Sequence, residues 1–337
     1  ATASANLQST AESILARLDG NYVIDEKSYY NSCSIGATLF GPGADNLQEL
    51  LKQLDIALFG ANSNGRNRIS FFDPALQIAV GERAQLLSDL RAAIERHEFE
   101  LYYQAQLDQN SQIVGAEALV RWKHPQQGLL SPAAFLPLAE QAGLMVKLGQ
   151  DILQMGMQQL QSWQADPERR HLKLSINITA DQFYEKNFET NLLGLLEEYT
   201  LDANGLMLEF TESMLLHDIS TAGSIINRLN NRGIKFSIDD FGTGYSSLSY
   251  LSRLPMNQLK IDQSFVRNIG QNDKDMAIIR TIIDMAHTLD MEVLAEGVEK
   301  EAQHHYLLRH GCKLFQGYLF SKPVPLQRFH ELLSSSH

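Results

Sequence analysis

Short apolar segments that each end on a polar or charged side chain recur through the last two-thirds of the chain. They are AEALVRW with Glu117, KLSINIT with Asn177, LMLEFTES with Glu209, KFSIDDFGTG with Asp239 and Asp240, QLKIDQSF with Lys260, EVLAEGVE with Glu296 and LFQGYLF with Gln316. Parallel strands buried on both faces read as continuous apolar runs, and a barrel of alternating strands and helices carries its chemistry where the strands end. So many such endings in one order predict a carboxylate-rich pocket at the mouth of a barrel.

The 337 residues leave room for one large domain and part of another, since such barrels run to roughly 250 residues. An apolar content of 44% with 20% charged residues is that of a folded chain, which excludes disorder as the organising state. The formal charge of −12 argues against broad binding to duplex nucleic acid, although metal ions or a few cations can reverse the field locally for an anionic ligand. No apolar run approaches the roughly 20 residues that cross a bilayer, and the opening ATASANLQST lacks the features of a signal peptide. Direct membrane insertion is therefore not expected, and a cytoplasmic location is. Cys33 and Cys312 stand far apart in no CxxC or zinc spacing and are read as reduced thiols.

Residues 1–80 read as a unit of their own, roughly half of an α/β domain. AESILARL and NLQELLKQLDIALFGAN have helical spacing, the second closed by Gly65, while NYVID, KSYYNSCSIGATLF and RNRISFF read as strands. A helix from about Gly81 to Arg96 follows, either a connector between two domains (residues 81–97) or a helix packed on the barrel. From residue 98 the pattern is strand then helix, to the end at 337. FELYYQAQL and IVGAEALV are joined by a turn at DQNSQ too short for anything but an antiparallel pair. Later helices are SPAAFLPLAEQAG, with Ser131 as N-cap and Pro132 first in the helix, then KLGQDILQMGMQQLQSWQ, STAGSIINRLNNRG and DMAIIRTIIDMAHTLD. The fold class is α/β, a TIM-like (β/α)8 barrel with an antiparallel first strand plus a small N-terminal α/β unit.

Glu117, Glu209, Asp239 and Asp240, with the amide oxygen of Asn177, are hard oxygen ligands of the kind Mg²⁺ and Mn²⁺ take. Adjacent strand residues point to opposite faces, but the DDFGTG turn can bring both carboxylates to one place, with Asp239 bridging two ions. Two such ions clamp a phosphodiester and activate a water for in-line hydrolysis. Taken singly, any of these acids could instead cap a helix or pair with a base. Lys260 lies in an apolar run and needs a carboxylate, a water or a phosphate oxygen, Asp262 being the local candidate. GTGYSSL fits a mobile loop beside the metals and fits a plain glycine turn nearly as well. The histidines, His124, His217, His287, His304 and His305 among them, show no zinc spacing and read as surface or packing residues.

Together these segments closely resemble the EAL-domain family of cyclic di-GMP phosphodiesterases. EALVRW at 117–122 is similar to the signature that names it, and NIT, EFTES, DDFGTGYSSL, LKID, AEGVE and QGYLFSKP match its later motifs in order, over residues from about 85 to 335. The resemblance implies a cyclic di-GMP-specific hydrolase that cuts one phosphodiester to give linear pGpG, using two Mg²⁺ or Mn²⁺ ions. It implies that Glu117, Asn177, Glu209 and Asp239 hold one ion, with Asp239, Asp240 and Glu296 near the second. Lys260 would position or deprotonate the attacking water and Gln316 would orient a water or ligand. Gln104, Leu119 and Arg121 would contact substrate, and Glu212 would anchor the GTGYSSL loop with Glu299 in support. The family's usual YQP reads YQA here, with Ala105 in place of proline.

Residues 1–80 resemble the second half of a GGDEF domain, through CSIGATLF, LDIALFGANSNG and RNRISFFDPAL, but the GGDEF signature is absent and diguanylate cyclase activity is not expected. A piece of a larger tandem protein is implied, and that parent is free to carry a membrane anchor. The resemblance also implies a homodimer through the barrels. The alternative function is a catalytically silent cyclic di-GMP receptor, and a third is a barrel enzyme for another phosphate ester.

Overall fold

The computed structural model describes residues 2–41, 46–63, 65–216, 218–242, 251 and 253–335. The chain divides into two compact units, residues 1–89 and 90–337. Among the described residues no helix is long and apolar enough to cross a membrane.

The first unit opens with a helix, Thr2–Leu18, and a hairpin of β1 (Gly20–Ile24) and β2 (Lys27–Asn31). Asp25 and Glu26 at its tip both take positive φ, 48° and 64°, the geometry of a two-residue turn that matches strand twist. β3 (Ile35–Ala37) and β4 (Ile69–Phe71) then pair in parallel, with the helix Leu47–Ser63 between them in sequence. Ala57 and Ala61 of that helix are fully buried. A Cβ on Gly36 would stand 2.4 Å from the backbone nitrogen of Leu58, so the close approach of strand to helix requires glycine there.

The next helix runs Pro74–Arg96, beginning seven residues before the expected Gly81. Asp73 is the reason. Its carboxylate accepts from the Ala75 amide at 2.9 Å while Pro74 takes the first helical position, where the missing N–H is no loss.

The second unit is a closed barrel. β5 (Phe99–Asp108) pairs antiparallel with β6 (Ile113–His124), and β7 (Gly128–Leu130) continues that meander beyond the rim. β8 (Lys173–Asn177), β9 (Leu206–Thr211), β10 (Lys235–Phe241), β11 (Gln258–Ile261), β12 (Glu292–Ala295) and β13 (Leu314–Phe315) follow in parallel from β6. β13 meets β5 antiparallel and closes the ring, and β14 (Val324–Pro325) adds an outer pairing on β5. The expected antiparallel first strand is present. Side chains alternate across each strand. Ile176, Leu208, Phe236, Ile238 and Leu259 are fully buried apolar residues, while the intervening Ser175, Glu209, Ser237, Gln258 and Lys260 meet one another or their neighbours inside the ring.

β6 differs from the expectation in length. Glu117 lies midway along it, because the strand continues to His124 on β5 and then β7 after its partner β8 has ended at Asn177. Ser131 does precede the helix Pro132–Gln141, although its side chain makes no capping bond. Helices Met145–Ala165, Phe188–Glu198, Ile219–Asn230, Asp273–Thr288, Glu301–Arg309 and Leu326–Ser335 follow around the strands.

Candidate active site

Lys260 is the centre of the site. It is 0% exposed on β11, and its ammonium lies 2.6 Å from Glu209 Oε2, 2.6 Å from Glu296 Oε1, 3.2 Å from Asp239 Oδ1 and 3.7 Å from Glu117 Oε2. Strands β6, β9 and β10 and the residue just after β12 therefore bring one carboxylate each to the same point. Asp262, the local partner weighed from sequence, instead caps the short helix Gln263–Val266 by accepting from the Ser264 amide at 2.9 Å. Two residues further along the chain, it has passed the strand end and begun the next helix.

Amides hold the acids in place. Asn177 Nδ2 donates to Glu117 Oε1 at 2.6 Å, and Gln316 Nε2 donates to Glu117 Oε2 at 2.5 Å and to Gln104 Oε1 at 3.2 Å. Gln104 Nε2 in turn donates to the Ser321 carbonyl at 3.2 Å. Gln316 follows β13 at a place of close packing. A Cβ on the next residue, Gly317, would fall 2.2 Å from the Val298 carbonyl oxygen, so only glycine lets the QGY segment lie against AEGVE.

Asp239 and Asp240 do converge, by a route that differs from the expected turn. The register of β10 against β11 shifts between Ile238 and Phe241, and Asp240 takes φ +54° within the strand. This bulge breaks the strict alternation of faces. Ligand atoms of Asp239, Asp240 and Glu296 lie within 4.8 Å of one another, as do those of Glu117, Glu209 and Asp239. These two groups share Asp239 and could each hold a metal ion.

One cation faces four acids, so the electrostatics are strained. Burial pushes the Glu209 carboxyl up to about 8, with Glu117 and Asp239 adding repulsion that the Lys260 attraction does not cancel. Burial likewise raises Glu296 well above the carboxylate range, and burial with the Asp239 charge moves Asp240 to about 6. Burial pulls the Lys260 ammonium down, but Glu117, Glu209, Glu296 and Asp239 outweigh it and hold it well above the ordinary lysine value. Glu209 Oε1 is buried with no hydrogen-bond partner among the described residues, a costly arrangement that a bound cation would relieve.

Beside the acids opens a cleft of about 320 Å³ lined by Gln104, Glu117, Leu119, Arg121, Glu296, Glu299 and Gln316, with Tyr318 and Pro132 at its walls. Arg121 also stacks on the Tyr102 ring at 5.3 Å. A larger cleft of about 660 Å³, around Arg170, His171, Lys173 and Tyr199, shares no residue with the acid cluster and carries no convergent chemistry. Glu212 starts a short helix directly after β9 and is buried, with neither carboxylate oxygen partnered among the described residues. The GTGYSSL segment beyond Gly242, and His217, lie outside the described residues. His124 and His304 are packing residues against Trp122 and Phe315. Gln106, Ser175 and Ser321, buried beneath or beside the acids, were not singled out from sequence. For Gln106 a signal was there, since in YQAQ it stands two residues from Gln104 and shares its face.

The barrel thus combines an antiparallel first strand with a shared cluster of acids at its mouth. The chain belongs to the EAL-domain family, whose profile matches residues 87–323. It is 38% identical over 325 residues to the bifunctional diguanylate cyclase/cyclic di-GMP phosphodiesterase MucR of Pseudomonas aeruginosa, covering 96% of this chain and 47% of that protein. To the cyclic di-GMP phosphodiesterase NbdA of the same organism it is 36% identical, over 96% of this chain and 41% of that one. The chain thus spans about half the length, or less, of these curated relatives. A solved structure of the PaMucR phosphodiesterase in complex with c-di-GMP matches with a TM-score of 0.70 at 40% identity, over 73% of this chain and 99% of that one. The EAL enzyme Bd1971 in its cAMP- and cyclic-di-GMP-bound form matches with a TM-score of 0.72 at 34% identity, over 86% of this chain and 76% of that one.

Proposed function

We propose that the barrel, residues 98–337, hydrolyses one phosphodiester bond of cyclic di-GMP to linear pGpG. The carrying observation is the convergence of Glu117, Glu209, Asp239 and Glu296 on the buried Lys260 ammonium, within 3.7 Å, beside an open cleft. The family membership and the names of its relatives support the substrate. In this reaction a water oxygen bonds to phosphorus, the bond from phosphorus to the 3′ oxygen breaks, and that oxygen takes up a proton.

The donor set suits Mg²⁺ or Mn²⁺, being hard oxygens with one buried lone oxygen on Glu209. Glu117, Asn177, Glu209 and Asp239 would hold one ion, Asn177 through its amide oxygen, since its Nδ2 is the end that donates to Glu117. Asp239, Asp240 and Glu296 would hold a second. The chemistry such ions supply when bound is a water of lowered pKa and neutralised phosphate charge. Lys260, with three N–H donors, orients the water or a phosphate oxygen. Gln316 fixes Glu117 and faces the cleft, where Gln104, Leu119 and Arg121 meet substrate. Glu212, buried with oxygens that have no partner among the described residues, anchors the GTGYSSL loop, with Glu299 in support. Residues 1–80 are the closing half of a GGDEF-like domain without its signature, residues 81–97 connect it to the barrel, and the barrels pair as a homodimer. Light scattering that finds monomers at full turnover would refute the dimer.

The test is incubation with cyclic di-GMP and Mg²⁺ or Mn²⁺, products being resolved by chromatography, with an EDTA control and the Glu117→Ala variant. Metal-dependent pGpG that disappears with Glu117→Ala is expected. Saturable binding without product would instead mark a receptor.

A further inference from the structure

We propose that Gln106 is a positioning residue for the Glu117 carboxylate, acting through Gln316; the inference rests on the proposed metal-dependent phosphodiesterase reading of the same site. Gln106 lies on β5 two residues beyond Gln104, inside the barrel and 5% exposed. Its Nε2 donates to Gln316 Oε1 at 3.1 Å and reaches Ser175 Oγ at 3.5 Å. It is not among the residues that line the cleft, whereas Gln104, Glu117 and Gln316 are.

A primary amide has one accepting end and one donating end. At Gln316 the donating end serves Glu117 Oε2 at 2.5 Å and Gln104 Oε1 at 3.2 Å, and the accepting end receives Gln106. Rotating the Gln316 amide by half a turn would set its oxygen against the Glu117 carboxylate and its NH₂ against the NH₂ of Gln106, two repulsions in a buried place. The acceptor-only carboxylate already calls for the donating end of Gln316, and Gln106, by donating to the accepting end, holds Gln316 in that sense. The other Glu117 oxygen is held by Asn177 at 2.6 Å, so the carboxylate plane is fixed only while both amides keep their sense. Gln316, one hydrogen bond removed from the Glu117 carboxylate, is of the kind whose loss typically alters metal affinity about 10- to 100-fold, and Gln106, one bond further out, acts through it with a smaller effect.

The experiment uses the full chain and the variants Gln106→Leu, Gln316→Leu and the double variant. Mn²⁺ binding is measured by titration calorimetry, and kcat and KM for cyclic di-GMP are measured beside it. Gln316→Leu should weaken Mn²⁺ binding about 10- to 100-fold and Gln106→Leu up to about 10-fold, with lower kcat at limiting metal, while KM in Gln106→Leu stays within roughly twofold, because Gln106 is not among the residues that line the cleft. In the Gln316→Leu background the same change should cost almost nothing more, the mark of one shared path. Wild-type Mn²⁺ affinity in Gln106→Leu, or a full additional loss in the double variant, overturns the proposal. Gln106→Met keeps an unbranched chain of similar length and replaces Gln106→Leu should that variant fail to fold. A chain that binds Mn²⁺ but does not turn over cyclic di-GMP sinks the phosphodiesterase reading alone, and one that binds no Mn²⁺ sinks both.

Discussion

Two ion-pair regions of the barrel unit use the same chemistry to opposite ends. Arg228 and Glu189, on neighbouring outer helices, make a forked pair with contacts of 2.7 and 2.9 Å, the arginine side chain 55% exposed. Lys260 makes contacts as short, but fully buried and against four acids. Good geometry is common to both; the solvent is not. An exposed pair is screened and gives back in side-chain entropy what it gains in attraction. The buried cluster holds surplus negative charge, which no fold keeps for stability alone, and such strained clusters concentrate at sites of binding and catalysis.

The largest test of that contrast is Lys260→Met. Removing the Lys260 cation from the cage should destabilise the metal-free chain by about 3–5 kcal/mol, the usual loss when one partner of a buried pair is deleted. Turnover should fall roughly 10²- to 10⁴-fold, as for a lost proton-handling or positioning group. Urea unfolding with and without Mn²⁺ checks the first, and added Mn²⁺ should recover part of it. Equal, small losses from Lys260→Met and Arg228→Met would erase the distinction.

Next is pH. Glu209 and Asp240 have folded-state pKa values of about 8 and about 6, both above their unfolded values. Between pH 4 and 8 the folded chain therefore holds protons that the unfolded chain has released, so stability declines as pH rises. Unfolding in EDTA at pH 5, 6.5 and 8 should follow that slope, and Mn²⁺ should flatten it by taking the place of the protons. Stability rising across this range in EDTA would contradict the surplus-charge picture.

A smaller effect of opposite sign is expected from Glu209→Gln. The site no longer has to keep a carboxyl protonated, an amide oxygen still accepts from Lys260, and the NH₂ fills the place of Oε1, which has no partner among the described residues. The metal-free variant should gain about 1 kcal/mol while turnover is lost, a common trade at functional sites. A melting curve and a product assay on one sample decide it.

Much of this region was legible because a barrel strand has to bury one apolar face and still present its alternate residues inward. Glu209, Asp239 and Lys260 each interrupt an apolar run in FSID-like patterns, and the antiparallel first pair followed from the short DQNSQ turn. Three features were not legible for local reasons. The bulge that turns Asp240 is a backbone event at φ +54° with no composition of its own. The extension of β6 to His124 depends on β5 outlasting β8 as a partner. The helix start at Pro74 was hidden inside FFDPAL, where Asp73 reads equally as the end of a strand or as a cap. Gln106 escaped notice because a buried amide beneath a site carries no motif, only the two-residue spacing from Gln104.

The smallest expected effect completes the contrast. In Arg228→Ala the Glu189 carboxylate, which the guanidinium bonds hold below the usual range, is released to water instead of being stranded, because the pair lies on the outer face of its helices. Neither the unfolding midpoint nor the rate of pGpG formation should shift measurably, and raising the salt concentration should leave the comparison with wild type unchanged. A drop in turnover with an unchanged midpoint would instead place this pair in communication with the cage, through helix Ile219–Asn230 and the strand β10 that follows it and carries Asp239 and Asp240.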